Sequence, residues 1–222
     1  MPTPPPPVYA PPAGPLKILY QDDALIVLDK PSGLLSVPGR GPAHADSLAS
    51  RVQAEFPDAR IVHRLDMATS GLIVMARGAV MERALSIAFQ QRQVEKRYVA
   101  VVAGQIAEDS GEINLPLITD WPNRPRQKVD FELGKPSLTG FEVLARDAAR
   151  NTSRVALTPH TGRSHQLRVH LLAIGHPILG DDLYGDEASR NAAPRLLLHA
   201  KALALPHPQS GAMLRLESPP DF

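Results

Sequence analysis

The sequence predicts an α+β fold in which strands outnumber helices. Short runs of branched apolar residues recur along the chain and are bounded by Gly, Pro, Asn and Asp, which is typical of strands separated by turns. Only three segments have the apolar spacing of a helix. No internal repeat is visible, and 222 residues are enough to bury one core. We therefore expect a single domain.

The first 15 residues differ from the rest because they carry eight of the 23 prolines. Such a density of proline favours an extended, solvated chain. We therefore expect residues 1–15 to be a disordered tail outside the core, and residues 16–222 to form the folded domain. Binding of a partner by the tail is the alternative.

Strands are predicted from the start of the domain onward. Leu16–Tyr20 and Ala24–Asp29 are separated by a polar turn, and a Pro-Ser-Gly sequence follows the second of them. Between residues 112 and 157, Pro and Gly turns separate several short strands. The other predicted strands are Leu72–Ala76, Tyr98–Ala103, Leu196–Leu205 and Met213–Leu216.

Two helices are predicted in the N-terminal half. Asp46 is a suitable N-cap for a helix over Ser47–Phe56, and Pro57 ends that helix. Ala79–Gln91 has apolar residues in helical spacing.

Composition excludes several kinds of site. Cysteine is absent, which removes disulfides, thiolate metal ligands and thiol nucleophiles, and suits a cytoplasmic protein. No apolar run could span a bilayer and no signal peptide is visible, so no membrane partner is expected.

Because the net charge is only +1, nucleic acid would have to bind at a local basic cluster. The candidates are Arg92 with Lys96 and Arg97, and Arg124 with Arg126 and Lys128, although either is also compatible with an ordinary solvated surface.

The segment from residue 61 to residue 76 is the most informative part of the chain. It places one carboxylate, Asp66, in a polar cluster between two apolar runs. Asp66 would then lie on a loop held by sheet at both ends, which is where rigid scaffolds present reactive groups. The alternative is a turn in which the Asp66 side chain bonds the backbone N–H of Thr69 or Ser70.

A third helix is predicted over His165–Ile174, with Ser164 as its N-cap and Gly175 just after its end. On a helical projection Arg168 lies near the middle of the apolar face. The apolar face comprises Leu167, Val169, Leu171, Leu172 and Ile174, and the other side carries His165, Gln166 and His170.

A guanidinium pointing into a core needs a charged or multiply bonded partner, since leaving it unpaired costs several kcal/mol. Asp66 is our preferred partner for Arg168, and Asp29, Asp181 and Asp182 are further candidates. The alternative is that Arg168 lies along the apolar surface with its charged end in water.

Four histidines near this helix first suggest a metal site. Their spacings of five and six residues do not place two imidazoles on one helix face, and the chain has no thiolate to help. No metal site is therefore expected from His160, His165, His170 and His176.

These motifs together resemble one family, the RluA-type RNA pseudouridine synthases. His63-Arg64-Leu65-Asp66 followed by Thr69-Ser70-Gly71 is similar to the family's active-site signature. The resemblance extends from about residue 18 to residue 222. The other matching motifs are Asp29-Lys30-Pro31-Ser32-Gly33-Leu34, Lys96-Arg97-Tyr98 and the run from Thr161 to His170.

The resemblance implies a single catalytic domain with a mixed, mostly antiparallel central sheet, flanked by helices and loops, and no additional S4-type domain. It also implies isomerisation of uridine to pseudouridine in RNA. The segments 33–40, 120–125 and 194–200 resemble members that act on transfer RNA (anticodon stem-loop, position 32) and on 23S ribosomal RNA (position 746). No cofactor is expected, because the isomerisation gains and loses no atoms. We expect a monomer, because one domain shows no apolar surplus.

The resemblance assigns roles to individual residues. Asp66 would be the catalytic carboxylate, through attack on C1′, assistance to glycal formation or addition to C6. Arg168 would keep Asp66 ionised, Tyr98 would stack on the flipped uracil and assist C5 deprotonation, and Arg64 would fill the vacated space. The expected substrate-binding residues are His63, Lys30, Arg124, Arg126, Lys128, Arg163 and His165, of which His63 shapes the pocket.

Two other functions remain possible at the level of sequence. A non-catalytic RNA-binding or folding protein on the same scaffold would not need the Asp66 carboxylate. A glycosidase acting on a nucleoside would need a second catalytic acid, and none stands out near Asp66.

Overall fold

The computed structural model describes residues 9–222, and one large sheet runs through this part of the chain. The strand order across it is β1-β2-β4-β11-β5-β10-β9-β6, with β12 beside β11 and β3 beside β4, while β7 and β8 form a separate hairpin. Strand pairs are antiparallel, except that β4 and β11 run parallel. This confirms the predicted α+β class. The strands are β1 (Ile18–Gln21), β2 (Leu25–Lys30), β3 (Ala59–Ile61), β4 (Ser70–Arg77), β5 (Glu95–Ala103), β6 (Ser110–Asn114), β7 (Leu117–Thr119), β8 (Gln127–Val129), β9 (Leu138–Asp147), β10 (Thr152–Pro159), β11 (Leu198–Pro206) and β12 (Met213–Glu217).

Four helices flank the sheet in the described residues: α1 (Leu48–Glu55), α2 (Gly78–Gln90), α3 (Gln166–Ala173) and the short α4 (Glu187–Asn191), which the sequence did not predict. The N-cap of α1 is Ser47 and not Asp46, because Ser47 and Ser50 form a reciprocal capping box. Asp46 instead pairs with Arg51.

The apolar strands at the centre of the sheet are covered on both faces. Alternate residues of β2 point to opposite sides, so that Ile26 and Leu28 pack with α1 whereas Leu25 and Val27 pack with α2. All residues of β4 except Arg77 are buried. A third cluster joins β5 and β10 to the underside of α3. Burial on both faces explains why these strands read as continuous apolar runs.

The helix α3 departs from its predicted geometry in two ways. Its N-cap is His165, whose φ of 53° is left-handed, and not Ser164. It is also buried on nearly every side from Gln166 to Leu171, whereas Leu172 is exposed. The prediction of Leu172 on the buried face and of His170 away from it was therefore wrong. His170 bonds Thr139 and a backbone carbonyl.

Part of the predicted tail lies against the domain. The Tyr9 hydroxyl donates to the Asp46 carbonyl and accepts from the Leu35 N–H, and Arg51 donates to the Pro12 carbonyl. Residues 9–15 have no helix or strand. They nevertheless make hydrogen bonds to the domain, whereas the prediction was a solvated tail outside the core. The remainder of the tail, residues 1–8, falls outside the described residues. In the described chain no helix has the length and apolar character needed to cross a membrane.

Candidate active site

A cleft of about 920 Å³ opens beside the Asp66 loop. Its walls come from that loop, from the start of β5 and from the turn that precedes α3. These three segments are far apart in the sequence. The parallel pairing of β4 with β11 and the antiparallel pairing of β11 with β5 bring the Asp66 loop and the start of β5 together. Asp66, Tyr98 and Arg168 all line this cleft.

Asp66 presents its carboxylate to Arg168. Nη1 of Arg168 donates to Oδ2 of Asp66 at 3.3 Å, and Nε2 of His165 lies 3.9 Å from Oδ1. The Asp66 side chain is 28% exposed, so it faces the cleft rather than bulk water. The N–H of Thr69 bonds the backbone carbonyl of Asp66, not its side chain, so the alternative turn is not formed.

The principal partner of Arg168 is Asp181, which corrects our preference for Asp66. Nε and Nη2 of Arg168 donate to the two carboxylate oxygens of Asp181 at 2.8 and 2.6 Å, and both side chains are almost fully buried. Burial alone would lower the pKa of Arg168, but hydrogen bonds and charge from Asp181, with a further contribution from Asp66, raise it. Arg168 therefore stays charged, and its Nη1 is left free of Asp181 to donate to Asp66. Asp29 and Asp182 are not its partners.

Lys30 does not contact the solvent, which contradicts its predicted role in substrate binding. It is fully buried, and its Nζ donates to the carbonyls of Pro31, Leu34 and Met67. Burial lowers the pKa of Lys30 to about 7, against the opposing effect of the Asp66 charge. Because Met67 follows Asp66 directly, Lys30 fixes the Asp66 loop from its buried side.

Two serines fix the same loop on either side of Asp66. Ser36 donates to the Leu65 carbonyl at 2.6 Å and accepts from the Leu65 N–H at 3.1 Å, and Ser32 donates to the Ala68 carbonyl. The backbone N–H of Gly33 also bonds the Met67 carbonyl. The segment from Lys30 to Ser36 thus holds the loop through contacts to its backbone.

Tyr98 and His63 line the cleft in different ways. The Tyr98 hydroxyl makes no hydrogen bond to any residue from 9 to 222, and burial together with the Asp66 charge raises its pKa. His63 is neutral, because burial, with a contribution from Lys96, lowers its pKa to about 3. Its Nε2 accepts from the Val74 N–H, and its ring stacks on Phe89 at 4.6 Å. His63 thus connects the start of the Asp66 loop to β4.

The basic residues form two groups. Arg64, Arg92 and Arg163 are exposed and line the cleft, and Lys96 lies deeper, where burial lowers its pKa. Arg124, Arg126 and Lys128 lie on the β7–β8 hairpin and are exposed, although Lys128 pairs with Asp130 at 3.3 Å.

Tyr184 was missed by the sequence reasoning although it touches the centre of the site. Its hydroxyl bonds Nδ1 of His165 at 2.7 Å and accepts from the N–H of Gln127 at 2.8 Å, and the Arg168 guanidinium lies 5.1 Å from its ring centroid. Burial raises the pKa of Tyr184 to about 12. Burial lowers the pKa of His165, which is therefore neutral at pH 7. The signal in the sequence that could have identified Tyr184 is its position three residues after Asp181, a candidate partner of Arg168.

No group of three or more potential metal-binding side chains is present among the residues that the structure describes. His170 and His176 instead bond neighbouring carbonyl or hydroxyl oxygens.

Comparison with known proteins assigns the family. Residues 24–173 match the family described as RNA pseudouridylate synthase. The chain is 55% identical over 215 residues to the dual-specificity RNA pseudouridine synthase RluA of Escherichia coli strain K12, covering 96% of this chain and 98% of that protein. This chain belongs to the RluA-type RNA pseudouridine synthases. The resemblance inferred from the motifs is thereby confirmed, and the protein is an isomerase that acts on RNA.

Other relatives agree with this family. RluA of Pasteurella multocida strain Pm70 is 54% identical over 215 residues, covering 96% of this synthase and 98% of that protein. The solved structure of human RNA Pseudouridylate Synthase Domain Containing 1 is similar with a TM-score of 0.80 and 31% identity, covering 96% of this chain and 87% of that one.

Proposed function

We propose that Asp66 is the catalytic carboxylate of this RNA pseudouridine synthase. The observation that carries the proposal is the contact between Asp66 and Nη1 of a buried arginine whose Nε and Nη2 are already bound by Asp181. The guanidinium donates a charge-assisted hydrogen bond to the carboxylate and orients it beside the cleft. Attack on C1′, assistance to glycal formation and addition to C6 all need a carboxylate held in place at the substrate.

The reaction balances without a cofactor. The N1–C1′ bond of uridine breaks, the uracil turns, and a C5–C1′ bond forms. C5 loses its proton, and N1 gains one. Protein groups therefore have to stabilise charge at the sugar or ring, hold the detached base and remove the C5 proton.

Tyr98 stacks on the flipped uracil in this proposal. It lines the cleft together with Asp66, and its hydroxyl has no bond to another described residue. Its raised pKa keeps the hydroxyl protonated at neutral pH. Participation in C5 deprotonation therefore requires Tyr98 to pass on its own proton at the same time.

The exposed arginines around the cleft would bind the RNA. Turning a base out of its stack costs a few kcal/mol, and a side chain that occupies the vacated space lowers that cost. Arg64 is exposed, lines the cleft and lies two residues from Asp66, so we assign it this role. Phosphate contacts are assigned to Arg163 at the cleft and to Arg124, Arg126 and Lys128 on the hairpin, and His165 is assigned to the pocket that holds the base.

We propose that the substrates are the anticodon stem-loop of transfer RNA and 23S ribosomal RNA. This rests on the motif resemblance and on the name "dual-specificity" carried by the relatives with more than half of their residues identical. Because both RNAs are cytoplasmic, we propose the same location for the enzyme. We also propose that it acts as a monomer, which sedimentation at micromolar concentration tests directly.

The experiment uses RNA that carries tritium at C5 of uridine. The wild-type protein should release tritium from an anticodon stem-loop and from a 23S ribosomal RNA fragment. Asp66→Asn should release none while it binds both RNAs with unchanged Kd, and Asp182→Asn, which alters an exposed neighbouring acid, should behave as wild type. Undiminished release by Asp66→Asn would remove the assignment, and release from only one RNA would reject the proposed pair of substrates.

A further inference from the structure

The tip of the β7–β8 hairpin exposes a tryptophan. Trp121 begins a short 3₁₀ turn over Trp121–Asn123, and it is 64% exposed. Two more large apolar side chains, Phe131 and Leu133, follow β8 at the other end of the hairpin and are 77% and 73% exposed. An exposed indole at a hairpin tip contributes nothing to the core, so it is available for contact with a partner.

Arg124 is stacked on this tryptophan. Its guanidinium carbon lies 4.4 Å from the Trp121 ring centroid, and its Nε donates to the Trp121 carbonyl at 3.2 Å. The large exposed area of Trp121 shows that Arg124 leaves much of the indole uncovered. An indole backed by a cation is well suited to stack on a further planar ring.

The hairpin tip lies beside the catalytic cleft and is attached to it. Pro125 lines the cleft. The Gln127 N–H donates to the Tyr184 hydroxyl, which also bonds His165, the residue next to Asp66 across the cleft. A backbone hydrogen bond from the Asp120 N–H to the Arg126 carbonyl closes the tip. The position of Trp121 is thus fixed relative to the site of reaction.

The charge of this surface favours RNA over a protein partner. Arg124 and Arg126 are exposed and have no carboxylate partner among the described residues, and Arg163 is exposed at the adjacent cleft. A polyanion with accessible planar rings matches both the positive charge and the exposed indole.

We propose that Trp121, backed by Arg124, is a second RNA-binding site that stacks on an unpaired base of the same RNA whose target uridine enters the cleft. This rests on the proposed function. It makes the β7–β8 hairpin a determinant of substrate choice, because a fully paired RNA offers no free base at this position.

Intrinsic fluorescence tests the proposal directly, because Trp121 is the only tryptophan of the chain. An anticodon stem-loop should quench the tryptophan emission of the wild-type protein as it saturates. A fully paired RNA duplex of equal length, bound at concentrations that filter binding shows to be saturating, should leave the emission nearly unchanged. Constant emission at saturation with the stem-loop, or equal quenching by the duplex, would overturn the proposal.

Substitutions separate stacking from charge. Trp121→Ala should raise the Kd of the stem-loop about tenfold, and Trp121→Phe should restore most of the affinity. Trp121→Ala should leave the slope of log Kd against log salt unchanged, whereas Arg126→Ala should lower it by about 0.7 to 0.9. Leu144→Ala, an exposed apolar residue of β9, is the matched control and should alter neither quantity.

The outcomes distinguish this proposal from the assignment of Asp66. Fluorescence and filter binding need no turnover, so they give the same answer whether or not Asp66 is the catalytic carboxylate. A Kd for Trp121→Ala equal to that of Leu144→Ala would reject the stacking site even if tritium release depends fully on Asp66.

Discussion

Asp181 holds Arg168 by two charge-assisted hydrogen bonds of 2.8 and 2.6 Å, while Arg168 reaches Asp66 by a single longer bond of 3.3 Å. The two acids therefore differ in geometry and burial although both contact one guanidinium. Asp181 is almost fully buried and determines where Arg168 lies, whereas the Asp66 carboxylate remains partly accessible from the cleft. Bidentate geometry of this kind fixes orientation as well as charge.

Asp181→Asn should impair both folding and catalysis. The substitution leaves the buried Arg168 with an incomplete partner, and we expect the free energy of unfolding to fall by about 3 kcal/mol. The rate of tritium release at saturating RNA should also fall, because Arg168 no longer holds its position beside Asp66. Urea unfolding and tritium release measure the two effects. The adjacent exposed Asp182→Asn is the control, and equal values for the two variants would contradict the prediction.

Lys30 should make stability depend on pH. Its pKa in the folded protein is about 7, against 10.5 without burial. Below pH 7 Lys30 is protonated in both the folded and the unfolded state, so the folded protein bears the full cost of burying the Lys30 charge. Between pH 7 and 10.5 unfolding takes up a proton, so that stability rises with pH by up to about 1.4 kcal/mol per unit.

Comparison of the wild type with Lys30→Met tests this dependence. The Met variant should lack the rise in the free energy of unfolding between pH 7 and pH 9. Asp66→Asn should move the onset of the rise to lower pH, because the Asp66 charge raises the pKa of Lys30. Parallel stability curves for the wild type and Lys30→Met would show that Lys30 does not titrate in this range.

Sequence patterns predicted the elements well where burial is continuous. β2 and β4 are covered on both faces, so their apolar runs were visible, and α2 began and ended within one residue of its prediction. The partner of Arg168 was less predictable, because four acids were candidates and only the tertiary structure shows that Asp181 contacts it. The role of Lys30 was wrong for a related reason. A lysine before a Pro-Ser-Gly turn resembles a surface residue, whereas its three carbonyl partners come from tertiary structure.

Ser36→Ala should loosen the loop that carries Asp66. The hydroxyl satisfies both backbone groups of Leu65, and its loss leaves a buried N–H and a buried carbonyl without that partner. We expect a decrease of about 1–3 kcal/mol in the free energy of unfolding. Tritium release at saturating RNA should decrease with little change in RNA affinity, since Leu65 precedes Asp66. Ser137→Ala removes an equally buried hydroxyl outside the cleft, and a similar loss of activity there would refute a specific role for Ser36.

Gly71→Ala should disrupt the parallel pairing of β4 with β11 that brings the Asp66 loop to the cleft. A Cβ at Gly71 would lie 2.4 to 2.9 Å from backbone atoms of Ala200, and its φ of +108° also disfavours a side chain. Gly78→Ala is the control, because Gly78 has a positive φ of +73° but open space around it. We expect the free energy of unfolding of the Gly78 variant, measured by thermal unfolding, to fall by about 1 kcal/mol from the backbone effect alone. The free energy of unfolding of the Gly71 variant should fall by at least twice as much. Equal shifts would show that the close approach to Ala200 can relax, and that the cleft does not depend on glycine at position 71.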